Sequence, residues 1–266
     1  MAASTNARAL RLASCLLTAF GLAAGTPTAA ADPNALWDIV NGQCVPDQLR
    51  DSEPAPCAFV DVAGGESRGY AVLKDLVGPT QFLLIPTERV AGIESPEILA
   101  PDAPNYFADA WRARSYVEQR AGRGLPRDWL SLAINSSAAR SQNQLHIHID
   151  CVRADVRQTL TAHARDIGPS WASLPVPLAG QSYRAMAVPG GELAAVNPFR
   201  LLADGLGGGD WMGAQTLVAV GSTDADGRPG FVLLAGRADA ASPGSGHGED
   251  LQDHDVCPPS AEAIGK

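Results

Sequence analysis

From Gln144 to Cys151 polar and apolar residues alternate without a break. Gln144, His146, His148 and Asp150 fall on one side, and Leu145, Ile147, Ile149 and Cys151 on the other. A period of two marks a β-strand with one buried face, so 145–152 is expected to be a strand that turns both imidazoles to its free face. Short apolar runs bounded by Gly, Pro, Asn and Asp predict further strands at 59–62, 69–75, 81–86, 129–134, 183–188, 216–220 and 231–234. The runs at 69–75 and 81–86, joined through Gly78-Pro79, read as a hairpin, and Asp224-Ala225-Asp226-Gly227 reads as the turn of another. Helical spacing takes over at 105–119, where Tyr106, Phe107, Ala110, Trp111, Ala113 and Val117 form a stripe closed by Gly122 and Gly124. Shorter helices are expected at 34–42, 155–163 and 198–203, with a loop from Cys44 through Pro46, Pro54 and Pro56 to Cys57. The glycine run at 205–209 lacks the strand, helix and lysine of a phosphate loop and reads as plain loop. The pattern is α+β.

Residues 1–31 differ from all that follows. Arg8 and Arg11 precede an apolar run over 12–25, and Ala29-Ala30-Ala31 then offers a small-residue cleavage site. These are the parts of a secretory signal, and the run is shorter than the ~20 residues of a spanning helix. The expectation is a signal peptide or short membrane anchor over 1–31 and a single exported domain over 32–266. Cysteine usage agrees with export. Setting Cys15 aside leaves Cys44, Cys57, Cys151 and Cys257, an even set suited to an oxidising compartment. Three pairings are open. Cys44 with Cys57 and Cys151 with Cys257 is preferred, because the first two lie close together in a proline-rich stretch.

Apolar residues at 45% and charged ones at 18% fit neither a disordered chain nor a polytopic membrane protein. A net charge of −9 argues against bulk nucleic-acid binding, which needs a basic face. The chemistry must lie in small clusters. Ahead of the histidine strand comes a loop of polar donors: Asn135, Ser136, Arg140, Ser141, Gln142 and Asn143. Donors beside paired imidazoles suit an oxyanion or phosphate pocket. The residue types alone leave three readings. The histidines could be polar surface residues of an amphipathic strand. They could be two ligands of a zinc site, since His146-x-His148-x-Asp150 opens like the motif of dinuclear hydrolases, though Cys151 stands where the final histidine belongs. Or an imidazole could attack phosphorus as a nucleophile.

Gln144-x-His146-x-His148, preceded by Asn135-Ser136 and Arg140-Ser141-Gln142, resembles the CDP-diacylglycerol pyrophosphatases of the histidine-triad superfamily. The likeness covers most of the chain after residue 31. It includes Leu36-Trp37-Asp38-Ile39-Val40, Val72-Leu73-Lys74-Asp75, Leu84-Ile85-Pro86-Thr87, Gly92-Ile93-Glu94-Ser95-Pro96 and Gln252-Asp253-His254. Ala139, where the family has Gly, and Asp150, where it has a small polar residue, depart from the pattern. The resemblance implies an α+β fold, a histidine-triad-like antiparallel sheet with helices packed on one face, and the order of elements read above is compatible with it. The order of elements in the second half weakly echoes the first, so an internal pseudo-dimer is expected, with a homodimer as the alternative.

The implied reaction is hydrolysis of CDP-diacylglycerol to CMP and phosphatidate through a covalent nucleotidyl-histidine. Placing Gln144 at the first triad position makes His146 the nucleophile and His148 the phosphate-facing residue. The other register would set Asp150 against a pyrophosphate, a repulsion of about 4 kcal/mol per close pair at an effective dielectric of 20. Arg140, Ser141, Gln142 and Gln144 are the expected phosphate ligands, and Asn135 is expected to hold the loop or the ring. No metal or other cofactor is required by this scheme. Lys74 and Arg89 are expected to be surface ion-pair partners. The lipid substrate makes a membrane surface the expected partner, touched through Trp37, Trp171 or Trp211, with no nucleic acid. The expected location is the periplasmic side of the inner membrane, either free after cleavage near Ala31 or anchored by residues 12–25. The alternatives are a histidine-triad nucleotidyltransferase or hydrolase of soluble nucleotide diphosphates, and a non-catalytic exported nucleotide- or lipid-binding protein.

Overall fold

The computed structural model describes Met1, residues 32–207 and residues 211–257. The expected signal segment and part of the glycine run lie outside the described residues. Nine strands form one antiparallel sheet: β1 (Phe59–Asp61), β2 (Tyr70–Lys74), β3 (Phe82–Pro86), β4 (Leu130–Ile134), β5 (Ile147–Cys151), β6 (Ala172–Ser173), β7 (Tyr183–Pro189), β8 (Gln215–Thr223) and β9 (Pro229–Arg237). Their order across the sheet is β1-β2-β3-β5-β4-β8-β9-β7-β6. The first five strands in sequence therefore occupy one side of the sheet and the last four the other. They meet where β4 pairs with β8, Ala133 opposite Val218. The two expected hairpins form, β2 with β3 and β8 with β9.

Helices cover both faces, not one as expected. Helix α3 (Tyr106–Ala121) and helix α5 (Pro198–Gly205) pack with Phe82, Leu84, Leu132, Ile147, Ile149 and Leu217 on the first face. Asn105 caps α3 by accepting from the Ala108 amide, and Gly122, at φ 71°, ends it in the left-handed region where glycine is unstrained. The second face carries two separate apolar patches. One joins Ala71, Leu73, Leu83 and Ile85 to the helices of residues 35–51. The other joins Ala133, Val218, Val220 and Leu234 to Val156 and Leu160 of helix α4 (Ala154–Ala162). The reason is visible in β3, whose unbroken run Phe82-Leu83-Leu84-Ile85 has no polar side to leave in water. Such a run is the composition of a strand covered on both faces.

The loop expected from Cys44 begins later than the prolines suggest. Helix α1 (Ala35–Ile39), a π-helical turn over Val40–Cys44 and helix α2 (Val45–Asp51) follow without interruption. Pro46 has no N–H to give and would crowd a regular turn before it, and the wider π turn accommodates that. Cys44 bonds to Cys57, and Cys151 at the end of β5 bonds to Cys257, so the preferred pairing is the one present. No helix of the described residues is long and apolar enough to cross a membrane.

Candidate active site

His148 lies opposite Leu83 on β3 and opposite Ala133 on β4. Directly opposed residues of antiparallel strands share a face, and Leu83 and Ala133 belong to the two different apolar patches of the second face. The histidines thus occupy the gap between the patches. They are not on an open face: His146 is 6% exposed and His148 5%. Their rings lie 5.0 Å apart, centroid to centroid, at an interplanar angle of 66°.

The two imidazoles are held differently. His146 Nδ1 lies 2.7 Å from the Gln144 carbonyl oxygen. A carbonyl only accepts, so Nδ1 carries the hydrogen and Nε2 keeps the lone pair. Burial, then the neighbouring His148, pushes the His146 pKa down to about 4. His146 is therefore a neutral imidazole with a free basic nitrogen at any pH above about 5. His148 Nδ1 meets Gln81 Nε2 at 2.5 Å, and its Nε2 is buried with no hydrogen-bond partner among the described residues. Burial also lowers its pKa, against the opposing pull of Asp75. Two carboxylates face it, Glu249 Oε2 at 3.4 Å and Asp75 Oδ2 at 3.8 Å.

A third histidine closes the group. His254 Nδ1 stands 3.4 Å from Asp150 Oδ2, while the Thr80 hydroxyl and the Cys151 amide both donate to Asp150 Oδ1 at 2.9 Å. Asp150 is fully buried, and the hydrogen bond to it raises the pKa of His254. Asp150 thus serves His254 and its own strand. The charge expected to trouble a phosphate is already partnered.

The loop donors divide. Asn135 is buried beside the site, but its Nδ2 donates to Glu249 Oε1 at 2.6 Å and its Oδ1 accepts from the amides of Gly248 and Glu249. It holds the strap of residues 246–254 that brings Glu249 and His254 in. Glycine is required in that strap, since a Cβ on Gly248 would strike Thr216 Oγ1 and one on Gly246 would strike Ser136 Oγ. Arg140 Nη1 pairs with Glu94 Oε2 at 2.6 Å. Gln142 accepts from the Leu36 amide and donates to the Asp32 carbonyl, fastening α1 to the loop. Gln144 Nε2 donates to the carbonyls of Pro86 and Glu88. Ser141 is exposed.

Of the other cations, Lys74 Nζ donates to the carbonyls of Asp75 and Gly78, and Arg89 donates to Asn34 and lies 5.2 Å from the Trp37 ring. Both are engaged, though not in the ion pairs expected. The sequence reading gave no role to Asp75, Gln81, Glu249 or His254. Asp75 and His254 fell inside the matching segments, but no short motif marks them. Asp150, Cys151 and Cys257 come close enough together to resemble a metal site, yet the two sulfurs are bonded to each other.

The family model described as CDP-diacylglycerol pyrophosphatase matches residues 31–259. A curated relative from Yersinia pestis, described as CDP-diacylglycerol pyrophosphatase, is 41% identical over 225 residues, 84% of this chain and 84% of its own length. With the match spanning all nine strands and every histidine of the site, the chain belongs to the CDP-diacylglycerol pyrophosphatase family.

Proposed function

We propose that this protein hydrolyses the pyrophosphate bond of CDP-diacylglycerol, with His146 as the nucleophile. Nε2 of His146 attacks the cytidylyl phosphorus, the bond from that phosphorus to the bridging oxygen breaks, and phosphatidate leaves with the bonding pair. Water then attacks the same phosphorus, the P–N bond breaks, and CMP leaves a neutral His146. Beyond family membership, one observation carries the reading: Nδ1 of His146 is committed to the Gln144 carbonyl while burial keeps the ring unprotonated.

His148 meets the non-bridging oxygens through its unpartnered Nε2, and the scheme keeps exposed Ser141 and Arg140, which would first have to leave Glu94, as further phosphate donors. Asp75 and Glu249 offset the positive charge His148 gains when the phosphate arrives. His254, whose pKa the hydrogen bond to Asp150 raises, gives its proton to the departing phosphatidate and takes one from the attacking water. Gln142 and Gln144 enter this scheme as anchors of the loop and not as phosphate ligands.

Denaturing quench at alkaline pH, which spares the acid-labile P–N bond, with substrate labelled in the cytidylyl phosphate and mapping of the adduct, tests the reading. The label is expected on His146. Label on His148, or full turnover by His146→Ala, overturns it. The scheme also takes the sheet as a histidine-triad-like pseudo-dimer, supported by the two blocks of strands that meet at β4 and β8. A monomeric mass in solution is the expected result. Export rests on the composition of residues 1–31 and the two disulfides. The amino terminus of protein from fractionated cells distinguishes cleavage near Ala31 from an anchor over 12–25.

A further inference from the structure

The turn between β2 and β3 carries Leu76, 102% exposed, and Val77, 54% exposed. Water surrounds a leucine and a valine side by side, and the turn is not loose. The Asp75 side chain accepts from the Val77 amide at 3.1 Å, and Lys74 Nζ donates to the carbonyls of Asp75 and Gly78 at 2.6 and 2.8 Å. The same Asp75 presents its other oxygen to His148. Apolar residues are thus displayed on a pinned turn, one residue from a group that faces the imidazoles. Val256, 52% exposed, adds to them, because Gly78 lies directly against the backbone of His254.

The flanking charges are informative. Lys74 lies at the base of the turn, and exposed Arg120 reaches its Pro79 carbonyl at 3.3 Å. Three carboxylates oppose them: Asp75, which turns to His148, Asp253, which accepts from the amides of Asp255 and Val256, and Asp255, the one of the three that is exposed. An exposed apolar tip on a pinned turn, with Lys74 and Arg120 at its base to meet phosphate headgroups, is an arrangement that enters the headgroup region of a bilayer. Trp211 is 57% exposed, but it belongs to the approach to β8 and not to this turn.

We propose that the β2–β3 turn is the edge by which the protein engages a lipid bilayer, with Leu76, Val77 and Val256 entering the interface beside the imidazoles. The inference rests on the reading that the substrate is a diacyl lipid. Burying the tip brings the headgroup pyrophosphate to the mouth of the site while the acyl chains stay in the membrane.

The test compares the full chain with a variant carrying Leu76→Asp and Val77→Asp. On phosphatidylethanolamine–phosphatidylglycerol vesicles holding long-chain CDP-diacylglycerol, kcat/KM should fall roughly tenfold or more. On dibutyryl CDP-diacylglycerol dissolved as monomers it should stay within about twofold, as for other surface substitutions. Equal loss on both substrates, or no loss on vesicles, overturns the proposal. A dimer of the native chain that the two aspartates dissociate would assign the patch to a second copy and overturn it as well. Should the native protein turn over neither substrate, the functional reading fails by itself, and Leu76→Trp still judges the turn. Brominated lipid in the same vesicles should quench its emission beyond that of the five native tryptophans, and an absence of added quenching overturns the proposal.

Discussion

His146 and His148 are equally buried, yet a carbonyl behind one and an amide with two carboxylates behind the other give them separate work. His146→Ala should abolish turnover, because it removes the nitrogen that forms the covalent bond, and Nε2 of His148 is assigned to the non-bridging oxygens. His148→Ala should leave a measurable rate, reduced by about 10²–10³, the usual worth of one oxyanion donor. Rates and adduct yields under single-turnover conditions separate the two. The pH profile follows from the shifts. His146 loses its basic nitrogen only as pH falls toward about 4, so kcat/KM should show no acid limb at the ordinary histidine value of about 6.5. His254, with its pKa raised by Asp150, must be charged to donate, so the rate should fall as pH rises through that raised value. His254→Gln should lower the plateau and remove this alkaline limb, which a purely structural role would not do. The stability signs are opposite. His146, depressed on folding, contributes stability above its unfolded value that is lost as pH falls toward its folded one. His254, raised on folding, contributes below its unfolded value and loses that as pH rises through its folded one. Urea midpoints of the His146→Ala and His254→Gln variants across pH 4–8 check both.

At the scale of elements, the site depends on the strap of residues 246–254 as much as on β5. Asn135→Ala removes the partner of Glu249 and of two amides. It should cost about 1–3 kcal/mol of stability as those groups lose their bonds. It should also lower kcat by roughly tenfold as Glu249 drifts from His148. Glu249→Gln, which keeps the hydrogen bond to Asn135 within reach, should lose rate without the loss of stability. Paired thermal melts and kinetics on the two variants distinguish positioning from charge. The tie between Cys151 and Cys257 holds the strap's far end to the strand that bears the histidines. Cys257→Ser should cost about 2–5 kcal/mol and loosen His254, visible as a lower melting temperature and a weakened alkaline limb. Sequence pattern revealed β5 because its alternation is local. It revealed nothing of the strap, whose partners Asn135 and Asp150 lie more than 100 positions away. The helix through Cys44 and Pro46 was hidden for another reason: proline argues for a break, and only the π turn before it removes the conflict.

Over the whole molecule, eight of the nine strands among the described residues were readable, down to both hairpins; the two-residue β6 carried no apolar run to mark it, and the covering of the sheet was not readable. The alternation at 144–151 suggests one wet face, and only the apolar runs of β3 and β4 betray that helices lie on both. That difference moved the imidazoles from an open surface into a gap between two apolar patches, where burial sets their protonation. The same arrangement governs when activity can begin. Asp75 and Gln81 emerge early in synthesis, His146 and His148 midway, and Glu249 and His254 more than 90 residues after them. On the proposed scheme, a nascent chain that has already delivered β5 holds His146 without His254, its proposed acid, and without Glu249, the carboxylate that faces His148. On that scheme such a chain should turn over substrate slowly, and full competence is expected only when the last disulfide draws the strap home.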